Sequence, residues 1–558
     1  LLALAGLLPL HAGLRFVDAT AGSGIDYRNV CGAPRDKGWI TEHMGAGAAW
    51  LDYDGDGHLD LYVANGSTHD RPAGQGEPDQ LYRGDGRGHF QNVTQASGTG
   101  DRFWSYGVAV GDIDNDGDPD IYVTNLGPSV LYLNRGDGTF EDVSARAGVA
   151  HSSWSTSAAF FDMEGDGDLD LYVGTYVDFV LEEVPRKGST RAKPPYCAYR
   201  GYPVFCGPRG LRPAQDVLYR NNGDGTFTDV TRASGVWLEQ PRYALGVVTA
   251  DYDNDGDQDV YVANDSVPNS LWRNRGDGTF EDVGLVTLTA LNGAGQAQGS
   301  MGTAFGDYNG DGWLDLVVTN FTRDVNTIYR SAAGKFFVDE SAELGMGVTL
   351  MELSWGVAFH DFDHDADLDL FIANGHVYED SEKAGFGSTY EQPNHAFVNE
   401  GGTFHKVESP GTLVERSWRG AAFGDYDEDG DVDIFLTAMD APGMLLRNDT
   451  PKAGHHLQLD LRGGASNRDA VGTRVQVTAG GRTLISERCG GGSYLSASDP
   501  KLHFGLGRVD RVERVDIRWP GGRRETLTAV GVDRVLVLRE PGPVPARGAG
   551  SPPGQSRR

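Results

Sequence analysis

One nine-residue acidic pattern recurs seven times in this 558-residue chain, and it limits what the chain can fold into. The copies are Asp52–Asp60 (DYDGDGHLD), Asp112–Asp120 (DIDNDGDPD), Asp162–Asp170 (DMEGDGDLD), Asp251–Asp259 (DYDNDGDQD), Asp307–Asp315 (DYNGDGWLD), Asp361–Asp369 (DFDHDADLD) and Asp425–Asp433 (DYDEDGDVD). Successive copies start 60, 50, 89, 56, 54 and 64 residues apart. Self-similarity at such a period marks stacked or radial repeats, and it is too long for most helical solenoids.

The flanks repeat as well. An apolar run enters each loop, as in GVAVGD (Gly107–Asp112) and GAAFGD (Gly420–Asp425), and another leaves it, as in DLYVAN (Asp60–Asn65) and DIFLTA (Asp433–Ala438). A hairpin follows, VLYLNRGDGTFEDVS (Val130–Ser144), with relatives at Val217–Thr231 and Ser270–Val283, whose GDG supplies the positive-φ residues of a tight turn. Each unit is therefore four short antiparallel strands, the make-up of a β-propeller blade, and seven units predict seven blades. The seventh unit has its third strand, MLLRND (Met444–Asp449), but no GTFxDVT strand after it. The missing piece stands at the start of the chain as RFVDATAGSGI (Arg15–Ile25), so an N-terminal strand is expected to close the ring and hide two sheet edges.

Positions 1, 3, 5 and 9 of each loop carry oxygen side chains. They are Asp52, Asp54, Asp56 and Asp60; Asp112, Asp114, Asp116 and Asp120; Asp162, Glu164, Asp166 and Asp170; and Asp251, Asp253, Asp255 and Asp259. The last three sets are Asp307, Asn309, Asp311 and Asp315; Asp361, Asp363, Asp365 and Asp369; and Asp425, Asp427, Asp429 and Asp433. Position 7 can add a backbone carbonyl, and position 6 is Gly in six copies. Such oxygen-rich loops suit Ca2+, up to seven ions, better than magnesium, which prefers a smaller octahedral shell. An EF-hand would place Glu at position 12 and a helix beyond it. Here position 12 is Val63, Val123, Val173 or Val262 inside a strand, so the ninth-position Asp is expected to close the site. Glu164 and Asn309 alter position 3 of the third and fifth loops, and Ala366 replaces the position-6 Gly of the sixth, which makes the sixth the weakest candidate. Seven divalent ions would move the formal charge from −32 to −18. The acidic balance argues against nucleic acid and anionic membranes as partners.

FGDYDEDGDVDIFLT (Phe423–Thr437) and its copies resemble the FG-GAP/VCBS repeats of seven-bladed propellers, including the integrin alpha-subunit head. Asn467–Gly522, with AVGTRV, GGSYLSASD, HFGLG and VDIRWPGG, is similar to the ASPIC/UnbV domain. The combination resembles the cartilage acidic protein family, whose bacterial relatives include the UnbV proteins of enediyne clusters. The resemblance implies a secreted, calcium-binding, non-catalytic protein. The vertebrate members carry EGF-like modules that this sequence lacks.

The expected fold is all-β. A seven-bladed propeller covers 14–450, with an insertion over 178–216, and a small β-sandwich-like domain covers 455–540, where alternating runs such as HHLQLDL and VERVDIRW lie between Gly-rich turns. Residues 1–13 (LLALAGLLPLHAG) read as a signal-peptide remnant and 541–558 as a disordered tail. No stretch is long and apolar enough for a transmembrane helix.

Cys197 and Cys206 lie nine apart inside the insertion, where a disulfide would hold a loop with little pattern of its own. Cys31 and Cys489 are a candidate second pair. RGD occurs at Arg83–Asp85, Arg135–Asp137 and Arg275–Asp277, each time at the hairpin turn, so the turn explains it better than adhesion does. His360, His364, His376 and His395 fall in the sixth unit without zinc spacing. No G-x-S-x-G, P-loop or H-E-x-x-H motif occurs in the sequence. The leading expectation is a monomeric module in a secreted, periplasmic or cell-surface setting, binding an extracellular protein or glycan and serving interaction or adhesion. The rival is an enzyme or biosynthetic accessory protein of UnbV type with a site at the propeller channel.

Overall fold

A computed structural model of the chain describes residues 13–34, 36–199 and 201–542. The expected leader and most of the expected tail lie outside the described residues. No helix among the described residues is long and apolar enough to cross a membrane.

Seven four-stranded antiparallel sheets follow one another along the chain before residue 450. The second is representative: Trp104–Gly111, Asp120–Leu126, Val130–Asn134 and Phe140–Asp142 pair in that order. The first strand of each sheet packs beside the first strand of the next, and Trp418–Gly424 of the last packs beside Ala48–Leu51 of the first. The second strands are buried almost throughout, Asp259–Asn264 along its whole length and Asp120–Leu126 except at Leu126. Sheets cover both of their faces, which is why they read as unbroken apolar runs rather than as alternation. In the last sheet the order is Phe16–Asp18, Met444–Asn448, Asp433–Ala438, Trp418–Gly424. Phe16 pairs with Asn448 and is fully buried, with ring centroids 5.2 Å from Phe362 and 5.7 Å from Phe371.

Glycines let the first strands crowd together. A Cβ on Gly302 would lie 2.0 Å from the Trp355 carbonyl oxygen of the next sheet. The adjacent Thr319 hydroxyl donates to that same oxygen at 2.7 Å.

The C-terminal region has two facing sheets. One joins Leu502–Gly507, His455–Arg462 and Val535–Arg539, the last two in parallel; the other joins Arg482–Glu487, Arg474–Ala479, Arg511–Arg518 and Arg524–Gly531. Leu457, Leu459, Val475, Val477, Phe504, Val515 and Trp519 pack between them.

This region lies on the acidic-loop side of the seven sheets and sends residues 489–499 (CGGGSYLSASD) in among their first strands. The segment bonds with strands from all seven sheets. Thr249 N–H donates to Gly490 O, Thr303 N–H to Ser493 O, Val108 N–H to Leu495 O and Trp50 N–H to Ala497 O. Ser493 Oγ donates to Ala421 O and accepts from Val357 N–H, while Leu495 N–H donates to Ser157 Oγ. Tyr494 runs deepest: its hydroxyl donates to Met44 O at 3.1 Å and its ring lies 4.8 Å from Trp355. Such approach requires glycine, since a Cβ on Gly490 would stand 2.0 Å from Phe160 O.

On the other side of the sheets a cap forms where Cys31, Ile40 and Met44 cluster with Trp104 and Trp154 and with Phe205 and Tyr378 of the two insertions. Cys197 and Cys206 form a disulfide with Cα atoms 4.1 Å apart. Tyr199 stacks on Phe386 at 3.9 Å and Phe205 lies 4.8 Å from Tyr378, so the insertions brace each other. The candidate Cys31–Cys489 pair, left open by the sequence, does not form: both thiols are free. Cys31 is buried in the cap beside Ile40, Met44 and Trp104, whereas Cys489 packs with Val248 and Phe305 where the central segment enters. Peptide mapping without reduction should therefore return one link, Cys197–Cys206, and two alkylatable thiols once the protein is unfolded. A linked Cys31 would contradict this arrangement.

Candidate metal centres

Each acidic loop is a tight turn held by its own carboxylates. Positions 4 and 6 take positive φ in every copy, for example +59° at Asn115 and +105° at Gly117. Position 1 then accepts loop amides. Asp112 Oδ2 receives Gly117 N–H at 2.8 Å, Asp307 Oδ2 receives Gly312 N–H at 2.9 Å, and Asp425 Oδ2 receives Gly430 N–H at 3.0 Å.

The ninth-position Asp does more than close the loop. Its Oδ1 accepts an amide of the third strand in all seven copies, at 2.7–2.9 Å from Gly84, Asn134, Asn221, Asn274, Ser331, Asn399 and Asn448. Five of those residues are Asn, and each sends its Nδ2–H to the position-2 carbonyl of an earlier loop: Asn134 to Tyr53, Asn221 to Ile113, Asn274 to Met163, Asn399 to Tyr308 and Asn448 to Phe362. Sequence reasoning gave this Asn no role. Its signal was repetition, two residues before the hairpin glycine in four of the five copies, Asn448 being the exception.

Five loops bring three carboxylate oxygens within 4.8 Å of one another: Asp52, Asp54 and Asp60; Asp112, Asp114 and Asp120; Asp251, Asp253 and Asp255; Asp361, Asp363 and Asp365; and Asp425, Asp427 and Asp433. The third and fifth loops are not among them. These are the loops in which Glu164 lengthens position 3 and Asn309 removes its charge. The sixth, expected to be weakest, keeps the common shape. Ala366 takes φ +76°, and its N–H reaches Asp361 Oδ2 at 2.7 Å. That conformation costs a residue with a Cβ, so Ala366→Gly should raise stability by about 1 kcal/mol, read as a higher urea midpoint at unchanged slope.

The electrostatics inside the loops are unfavourable without a cation. Burial, with neighbouring carboxylates adding to it, pushes Asp60 up to about 8 and Asp170 and Asp315 up to about 9. Burial and nearby Asp166 raise Glu164 to about 7. Several buried oxygens also have no hydrogen-bond partner: Oδ1 of Asp52, Asp54, Asp251, Asp425 and Asp427, and Oδ2 of Asp433. Three of these belong to the seventh loop. A buried unpaired carboxylate oxygen is costly, and an oxygen-seeking divalent cation is the ligand that such donors fit.

The loop face also meets cations from the C-terminal region and from the short segment before it. Arg518 pairs with Asp251, Arg482 with Asp367 and Lys452 with Asp431, while Gln458 Nε2–H donates to Asp425 Oδ2 at 2.8 Å. The RGD tripeptides are hairpin turns, where Asp137 and Asp277 each accept the hydroxyl two residues on at 2.6 Å. The four sixth-unit histidines do not converge. His360 lies beside Phe423, His376 beside Phe386, His395 near Glu352, and His364 faces the C-terminal region.

A family model described as FG-GAP-like repeat matches residues 52–123, 119–173, 204–262, 251–318 and 307–372, together a little over half of the chain. A second, ASPIC and UnbV, matches 463–544. Cartilage acidic protein 1 from Mus musculus is 27% identical over 288 residues, covering 50% of this chain and 42% of that protein. The Homo sapiens protein is 28% identical over 274 residues (48% and 39%), and that of Xenopus tropicalis 26% identical over 348 residues (61% and 51%). The chain thus spans about half the length, or less, of these curated relatives. Among solved structures, the BP39L lectin from Burkholderia pseudomallei shares 12% identity at a TM-score of 0.40, over 74% of this chain and 98% of that one.

Proposed function

We propose, from the premise that this chain belongs to the FG-GAP-like repeat family and carries an ASPIC and UnbV region, that it is a calcium-stabilised propeller acting outside the cytoplasm as a binding module for another protein or a glycan. The observation that carries the metal assignment is the set of buried, unpartnered carboxylate oxygens on Asp425, Asp427 and Asp433 of one loop. Positions 1, 3, 5 and 9 would hold the ion, which supplies charge neutralisation rather than chemistry. The third and fifth loops would bind more weakly. The Cys197–Cys206 disulfide supports an oxidising compartment.

We read the seven sheets as seven blades over 14–450 closed by the N-terminal strand, followed by a separate unit over 455–540. On that reading the loop face is covered by the C-terminal unit, and the channel is filled by Tyr494 and its neighbours. This arrangement favours a binding module over an enzyme with a channel site. The surface left for a partner is the opposite face, where the disulfide-held insertion and residues 375–393 stack together. The test is capture of extracellular proteins and arrayed glycans, with calcium and after chelation, by the full chain and by a variant with 378–390 replaced by a short Gly/Ser linker. Calcium-dependent capture lost in that variant supports the assignment. Equal capture by both proteins, or none in either condition, overturns it.

A further inference from the structure

Three histidines far apart in the sequence meet where the sixth and seventh loops face the C-terminal region. His364 is position 4 of the sixth loop, His456 lies in the strand His455–Arg462 and His503 in Leu502–Gly507. Their ring centroids are 5.1 Å apart for His364 and His456, 5.0 Å for His364 and His503, and 5.8 Å for His456 and His503. His364 is fully buried, with no hydrogen-bond partner for its Nδ1 and only the Asp431 carboxylate near its Nε2; the buried Nδ1 of His503 has no partner either. Leaving such buried polar groups unsatisfied is costly.

The remaining nitrogens are oriented from outside. His503 Nε2 lies 3.1 Å from Gly430 O, which fits an N–H donating to the carbonyl and leaves the Nδ1 lone pair free. His456 Nδ1 lies 3.5 Å from Asp533 Oδ1, which also accepts the His456 backbone N–H, while Asp533 Oδ2 takes the His455 ring, so Asp533 can orient the His456 imidazole. Metal-bound histidines use this arrangement, one nitrogen held by a carbonyl or carboxylate and the other presented to the ion. Asp431 adds a carboxylate, with Oδ1 3.3 Å from His364 Nε2 and 3.0 Å from Lys452 Nζ.

We propose that His364, His456 and His503 hold one transition-metal ion of the zinc class at this seam, with Asp431 in reach as the fourth donor. Neutral imidazole nitrogens select such ions over calcium. With metal–nitrogen bonds of about 2.0–2.1 Å, tetrahedral ligation places imidazole centroids roughly 5.2 Å apart, close to the separations found here, although the ring nitrogens are not gathered within 4.8 Å of one another as the loop carboxylates are. The His456 and His503 rings are nearly parallel, at 13°, so uptake turns the rings toward one point and displaces the Lys452 ammonium from Asp431. The ion would fasten the ring to the C-terminal region independently of the acidic loops.

Cobalt is the probe, added to the full chain in excess calcium so that the carboxylate loops are not the sites read. One equivalent should give the intense visible absorption of tetrahedral nitrogen-ligated cobalt, and zinc should remove it. His364→Ala and His503→Gln should each abolish the band while the melting temperature in calcium alone stays near that of the parent. Asp533→Ala should weaken cobalt binding about 10–100-fold. No saturable band in the parent, or an undiminished band in both histidine variants, overturns the proposal.

Discussion

Adding calcium to metal-free protein is expected to raise its melting temperature by about 10 °C, and chelation to reverse the rise. An ion that binds the folded loop and not the unfolded chain stabilises by mass action, about 2.7 kcal/mol per site at one hundred times the dissociation constant. For extracellular loops with Kd near 10⁻⁴ M, that condition is about 10 mM calcium. The five loops that gather three carboxylate oxygens would together add about 13 kcal/mol. An unfolding entropy of about 2.1 cal/mol/K per residue makes this chain's conversion roughly 1 kcal/mol per degree. Magnesium at equal concentration should give a much smaller shift, since the loops lack its compact octahedral geometry. Asp427→Ala should lower the calorimetric stoichiometry by one ion and leave the other sites, because its loop shares no carboxylate with another. A parent protein that takes up no calcium by calorimetry would end the metal assignment.

What could be read from the sequence follows from what repeats. Seven acidic loops between apolar runs announced the sheets, and the surplus Arg15–Ile25 strand announced where the last sheet finds its edge partner, because each feature is written locally and copied. The third-strand Asn was visible as a repeat, but its purpose was not, since its partner carbonyl lies 81 to 111 residues back. The central segment was quoted as a motif and nothing more. CGGGSYLSASD has no period of 2 or 3.6, and its meaning lies in how closely Gly490 and Tyr494 approach strands hundreds of residues away. The histidines failed for a related reason. Four in one unit drew attention, yet the one that matters, His364, meets partners 92 and 139 positions downstream, and no spacing rule connects them. Whether Cys31 and Cys489 pair could not be read from the sequence, because nothing local tells that the two thiols lie in different clusters.

Deleting Leu14–Thr20 is expected to destabilise the protein strongly and to make it self-associate. Phe16–Asp18 pairs with Leu446–Asn448, more than 400 positions away. The surrounding bonds extend that pairing: Ala19 N–H donates to Leu445 O at 2.8 Å, Asp449 N–H to Arg15 O at 2.7 Å, and Gly411 N–H to Phe16 O at 2.8 Å. Phe16 also fills a pocket shared by two sheets, packing with Phe362, Phe371 and Leu446. Phe16→Ala alone should therefore cost about 3–5 kcal/mol, read from urea unfolding. The full deletion removes both the ring and the strand. It leaves Met444–Asn448 as an open edge of the kind that recruits strands from other chains. Light scattering should then show concentration-dependent association, and a synthetic peptide covering residues 13–22 should suppress it by supplying the strand in trans. The peptide separates loss of an edge partner from general damage, because a misfolded ring would not respond to it. A deletion variant that melts like the parent and stays monomeric would mean that the N-terminal strand does not lock the ring, and the seven-blade closure would have to be abandoned with it.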